Sequence, residues 1–222
     1  GFEITFLPVN KKGAINLEDF KKALRPETFL VSIIYVNNEI GSSQPIKKIG
    51  KIIKEFKKNN GPLYFHVDAS QAAGHLDINA NNLGVDLMTI SSHKIYGPKG
   101  IAALYVRRGT EIKPLIFGGG QEWSLRSSTE AVPLIIGFAK AMEINQKLKI
   151  KNQKYQEKLR NYFVGGLKKT FPKIKINGPE EPANRAPHII NAVFPGIENE
   201  QLLLRLDKYG IRASAGSACA SR

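Results

Sequence analysis

Only one cysteine, Cys219, one tryptophan and two methionines occur among the 222 residues. A single thiol cannot close a disulfide within the chain, so a disulfide framework is excluded and a reducing, cytoplasmic setting is expected. Acidic residues are scarce: 19 Asp and Glu face 33 Lys and Arg, for a net charge of +14. No apolar run approaches the roughly 20 residues that a membrane-spanning helix requires, and no signal peptide is visible. The basic charge has no RNP-like, zinc-finger or helix-turn-helix signature beside it, so direct nucleic-acid binding is not expected. It reads instead as a lysine-rich solvated surface, or as attraction for an anionic cofactor or an acidic partner.

The hydrophobic content of 42% suffices for the core of one large or two small domains. The chain opens at Gly1 rather than Met and stops three residues past Cys219. It is therefore expected to be a piece of a longer protein.

Short β-branched runs alternate with helical patterns. Residues 3–9, Thr28–Val36, Leu63–Val67 and Val85–Ile90 read as strands, and Ile101–Val106 reads as one more, antiparallel. Leu17–Leu24 reads as a helix. Pro45 opens another, with Ile46, Ile49, Ile52, Ile53 and Phe56 on one side and Lys47, Lys48, Lys51, Lys54, Lys57 and Lys58 on the other. A long helical stretch from about Val132 to Leu167, with breaks, is followed by short strands near Lys173–Ile176 and His188–Phe194. A last helix is capped by Asn199 and ends at Gly210. The alternation predicts an α/β fold with a mostly parallel sheet flanked by helices. The pattern turns more polar at Lys147–Lys151, which divides the chain into 1–147 and 148–222.

Sites in parallel sheets lie outside the carboxyl ends of the strands. Asn38, Asp68 and Lys94 each fall at such an end. In the segment Asp86–Gly100 an apolar strand stops at Ser91, Ser92, His93 and Lys94. A lysine there can be desolvated and act as a neutral amine nucleophile, whereas Lys99 in the following turn stays hydrated. Asp68 is read either as the counter-ion of a cationic ring nitrogen or as a cap for the turn after it. Gln71 lies one helical turn further on and is read as facing the same ligand or as a surface residue. His66 points the same way as Asp68 along the strand and is equally consistent with a satisfied core histidine. Gly118–Gly120 is read as a phosphate cradle or a plain connection. Cys219 lies among small residues with Arg212 and Arg222 nearby, a setting that favours a thiolate.

Six segments together, VNNEIG at 36–41, HVDASQ at 66–71, SSHKIYGPKG at 91–100, GGGQE at 118–122, RSST at 126–129 and SAGSACAS at 214–221, resemble the cysteine desulfurases of the NifS/IscS group within the class-V aminotransferases. The resemblance runs along essentially the whole chain. It implies the pyridoxal-phosphate (PLP) transferase fold type I, with residues 1–147 in the cofactor-binding large domain and 148–222 in a smaller, incomplete α+β domain. It implies that Lys94 holds PLP, that Asp68 pairs with its ring nitrogen, and that Gln71 and Asn38 contact its phenolic oxygen. Asn38 also reaches the substrate carboxylate. Ser91 and His93 bind the phosphate, and Thr129 reaches the phosphate of the other subunit in a homodimer. Cys219 becomes the nucleophile that takes sulfur from L-cysteine, releases L-alanine and passes a persulfide to an iron–sulfur scaffold protein or a tRNA-thiolation relay. Selenocysteine lyase and class-V aminotransferase are the alternatives of the same fold. The family's phosphate-binding turn and ring-stacking histidine do not precede Asn38, and its carboxylate-binding arginine would follow Cys219. These 222 residues by themselves are therefore expected to bind PLP weakly.

Overall fold

Along β1 (Leu30–Ile34) and β2 (Tyr64–Asp68) every second side chain is more deeply buried. Val31, Ile33, Phe65 and Val67, with Met88 of β3 (Leu87–Ser91), form one apolar layer. The helix α2 (Ile46–Asn60) lies on that layer and contributes Ile46, Ile49 and Ile53, while its lysines, apart from the half-buried Lys57, remain outside. The computed structural model from which this fold is taken describes residues 1–217.

The four strands of the main sheet lie in chain order, with β4 (Ala102–Val106) last. β1, β2 and β3 are parallel, and β4 runs antiparallel to β3, as the sequence predicts. α1 (Leu17–Ala23) precedes β1, and the short α3 (Ala80–Leu83) precedes β3. A second sheet pairs β5 (Lys175–Asn177) with β6 (Asn191–Val193) in antiparallel fashion. α4 (Val132–Thr170) leads to it and α5 (Asn199–Lys208) follows it. No helix among the described residues is long and apolar enough to cross a membrane.

Three local expectations are corrected. Residues 3–9 form no strand; apart from one bridge between Val9 and Ile15 they have no backbone ladder to join, and Phe2, Ile4 and Phe6 are exposed. α4 is unbroken, because no proline occurs between Pro133 and Pro172. The division expected at Lys147–Lys151 therefore falls inside one helix. Asn199 is the first helical residue rather than the cap, and Glu198 precedes it without a side-chain capping bond.

Two polar contacts hold the layers in place. Asp86 is buried; its carboxylate accepts from Lys57 Nζ and Phe65 N at 2.8 and 2.9 Å and pairs with Arg107 Nε at 3.4 Å. It joins α2, β2 and the end of β4. The rings of His75 and His188 stack with centroids 3.6 Å apart, and His75 Nδ1 lies 3.1 Å from Gln156 Oε1 on α4. Burial pushes both imidazoles below the usual histidine range, and His188, further opposed by charge on His75, falls to about 3.

Asp86→Ala removes the acceptor shared by two cations and a buried amide. It is expected to lower unfolding free energy by about 2 kcal/mol in urea titrations, with Asp86→Asn losing less. A histidine whose folded pKa is depressed costs no stability above the unfolded value of 6.5 and costs progressively more as pH falls below it. Between pH 7.5 and pH 5 the His188 shift corresponds to a loss of about 2 kcal/mol. His188→Phe, which keeps a stacked ring but cannot titrate, should flatten this part of the stability–pH curve.

Candidate active site

The parallel pairing of β2 with β3 sets Asp68 opposite Thr89, so both strands end on the same sheet edge. Two backbone bonds extend that edge beyond the ladders: Tyr35 N donates to Asp68 O at 2.8 Å, and Ala69 N to Thr89 O at 2.9 Å. Asp68 is half-buried, and its Oδ1 accepts from Ser70 N at 2.9 Å. The capping reading of Asp68 is thus realised with one oxygen.

The turn that carries Lys94 is built by burial of alternate anchors. Ser92 and Ile95 of the 3-10 turn Ser92–Ile95 are buried, whereas His93 and Lys94 are exposed. Ile95 packs with Ala73, Phe138 and Ala141, and its carbonyl accepts from Asn145 Nδ2 of α4 at 2.8 Å. Tyr96 then takes a left-handed φ of 65° and reverses the chain. The expected desolvation of Lys94 is not found among the described residues. The strand ends at Ser91 and the turn swings the amine outward. Ser91 Oγ and His93 Nδ1 are 2.9 Å apart, so these two form a hydroxyl–imidazole pair at the turn that carries Lys94. Lys99 is also exposed.

Asn38 arrives from β1 on a separately pinned turn. Asn37 builds it: its Oδ1 accepts from Glu39 N at 3.0 Å and Ile40 N at 2.9 Å, and its backbone N donates to Ser42 O at 2.9 Å. Asn38 itself is exposed, and its Nδ2 donates to Ser217 Oγ at 3.1 Å. Gln71 is half-buried in the turn after Asp68 and has no side-chain hydrogen bond among the described residues. Thr129 is exposed in the connection before α4. The Gly118–Gly120 loop likewise stands exposed. Cys219 lies outside the described residues.

Two further residues join the site face. His66 Nδ1 is 2.8 Å from Ser32 Oγ, and His66 Nε2 is 3.0 Å from Thr89 Oγ1. Burial lowers the His66 pKa, and the Asp68 carboxylate opposes that shift. Ser32 and Thr89 each interrupt an otherwise apolar strand at the outward phase. That period-2 signal is present in the sequence itself. The result is a polar row, Ser32, His66 and Thr89, running across three strands beside Asp68.

Comparison with known proteins adds to this geometry. The family model described as aminotransferase class-V matches residues 1–222. The cysteine desulfurase IscS of Clostridium botulinum is 46% identical over 221 residues, covering 100% of this chain and 54% of that protein. The cysteine desulfurase IscS of Dictyoglomus turgidum is 48% identical with the same coverage. The chain thus spans about half the length of these curated relatives. A solved structure of a NifS-like protein superposes with a TM-score of 0.89 at 40% identity, covering 97% of this chain and 57% of that one.

The lysine turn depends on one glycine. A Cβ on Gly97 would lie 2.3 Å from Ser92 Oγ, 3.1 Å from Ser92 O and 3.2 Å from Ala141 Cβ. Gly97→Ala is expected to destabilise the protein by about 1–3 kcal/mol in urea titrations. Ser92 Oγ is buried without a partner among the described residues, so Ser92→Ala alone should cost little. Combined with Gly97→Ala it should recover part of the loss, and strict additivity of the two changes would contradict the clash.

Proposed function

Because this chain belongs to the class-V aminotransferase family, we propose that the whole protein is a PLP-dependent cysteine desulfurase. It converts L-cysteine to L-alanine and leaves the sulfur on Cys219 as a persulfide. The observation that carries this reading is the shared strand edge. Asp68 and the Ser91–His93–Lys94 turn stand on adjacent parallel strands, and Asn38 bonds to Ser217, two residues before the chain's only thiol. The identity to two IscS proteins supports it.

The donor set fits PLP. Asp68 has one carboxylate oxygen engaged by a turn amide and the other open to a ring nitrogen. The Ser91–His93 pair offers a hydroxyl and an imidazole to a phosphate, and Lys94 offers an unobstructed amine. Bound PLP supplies an electron sink for charge developing at the substrate Cα. Asp68 keeps a proton on the ring nitrogen, with the His66 row behind it as a neutral hydrogen-bonded support. Lys94 anchors the cofactor and carries the Cα proton. Gln71 and Asn38 orient the ring and the substrate carboxylate. Cys219 attacks the substrate sulfur as a thiolate; the substrate C–S bond breaks, the new S–S bond forms, and alanine leaves with the balancing proton.

On the same reading the protein is a homodimer in which Thr129 serves the phosphate site of the opposite subunit. Its exposed place before α4 is compatible with that. Residues 1–147 belong to the large domain and 148–222 to the small one. The persulfide passes to an iron–sulfur scaffold or a tRNA-thiolation relay, in a reducing cytoplasm that keeps the thiol free.

Incubation of the full-length protein with PLP and L-cysteine, followed by borohydride trapping and peptide mass spectrometry, should find cofactor mass on Lys94 and one added sulfur on Cys219. Cys219→Ala should reduce sulfide release to background and retain the trapped Lys94. Undiminished turnover in Cys219→Ala would transfer the assignment to an aminotransferase, which needs no thiol.

A further inference from the structure

Where α4 meets the segment before β6, basic groups collect without an acid. Arg160 of α4 and Arg185 of that segment are 7% and 4% exposed. The Arg185 guanidinium is fixed by two carbonyls: Nη1 donates to Pro179 O at 2.8 Å and Nη2 to Ile189 O at 2.7 Å. Arg160 Nη2 donates to Asn161 Oδ1 at 2.9 Å. Neither arginine has an ion pair among the described residues. The His75–His188 stack belongs to the same junction. His188 lies three residues past Arg185, and His75 bonds Gln156, one turn of α4 before Arg160. Five buried side-chain polar atoms lack a hydrogen-bond partner among the described residues, and three of them are here: Arg160 Nε, Arg185 Nε and His188 Nδ1. Both guanidinium Nε atoms carry a hydrogen that can only be donated.

An arginine in a protein keeps its charge. Enclosing two such charges without a counter-charge is costly, and the cost cannot be relieved by losing a proton. Burial lowers the Arg185 pKa, and the charge of Arg160 lowers it further, so the two guanidinium groups act on each other. The described residues already enclose both side chains, so whatever balances them must be small. We propose that this junction holds a buried halide ion, chloride in practice, which accepts from Nε–H of Arg160, Nε–H of Arg185 and Nδ1–H of His188. A halide accepts from N–H groups in any direction and asks for no donor-free face or hydroxyl of its own. Sulfate or phosphate would need room for four oxygens among buried groups. The ion ties α4 to the segment before β6. Through Asn145 of the same helix, which bonds the Ile95 carbonyl, it also steadies the turn that carries Lys94. This inference does not depend on the desulfurase reading.

The test uses the full-length holoenzyme in gluconate buffers of constant ionic strength, with chloride or bromide replacing gluconate. A bound halide makes opening of the site rarer by the factor 1 + concentration/Kd. At about ten times the half-saturating concentration, amide hydrogen exchange across 153–163 and 183–190 should slow about tenfold. Arg160→Met, which keeps an apolar stem but has neither the charge nor the Nε–H, should show no halide dependence. Crystals grown in bromide should give an anomalous peak between the two guanidinium groups, a measurement that stands even if Arg160→Met does not fold. Halide-independent exchange in the wild-type protein would overturn the site, as would a dependence that persists in Arg160→Met. A water or a carboxylate of the protein at the expected position would overturn it too, and so would an equal response to sulfate.

Discussion

Register in the parallel sheet is the constraint on which the site depends. Val31, Ile33, Phe65, Val67 and Met88 must all face α2, because a shift of one residue would turn this apolar set toward the opposite face. With that layer fixed, the intervening positions have no freedom. Ser32, His66 and Thr89 come into line across three strands, and Asp68 stands opposite Thr89 at the edge. The polar row is the complement of the core. Asp86 strengthens the same constraint by tying α2 and the end of β4 to the β2 backbone through a single carboxylate.

A second level of organisation consists of rigid turns fixed by residues that do no chemistry. Asn37 shapes the loop that presents Asn38, and Ile95 buries itself so that His93 and Lys94 face outward. Asn145 of α4 grips the Ile95 carbonyl, so the long helix that leads to the second sheet also steadies the lysine turn. The His75–His188 stack and the backbone bonds around Asn184–Ala186 join the C-terminal part to the same region. Groups from distant parts of the chain thereby reach one edge, Asp68 with only one carboxylate oxygen engaged. Preorganised polar groups of this kind are what a cofactor enzyme's protein part supplies.

Much of this was legible from pattern. β-branched runs ending in polar residues located β1, β2 and β3 within one or two positions, and the isoleucine spacing located the buried side of α2. The strand ends singled out Asn38, Asp68 and Lys94, since parallel strands have their sites there. Residues 3–9 misled because an alternating pattern shows only that a strand is feasible, and a strand also needs a neighbour. The unbroken α4 was obscured because its middle is polar, while helical continuity depends on the absence of proline rather than on apolar content.

Local sequence therefore determined which segments are strands and helices, which face of each is apolar, and which polar residues end the strands. These properties follow from periodicity and from backbone preferences a few residues long. Only the tertiary structure decided that Lys94 is turned outward, that His66 is satisfied by Ser32 and Thr89, and that Ser217 meets Asn38. Each of those depends on contact between residues far apart in the chain, and such contact comes from strand register and layer packing, which no short window of sequence contains.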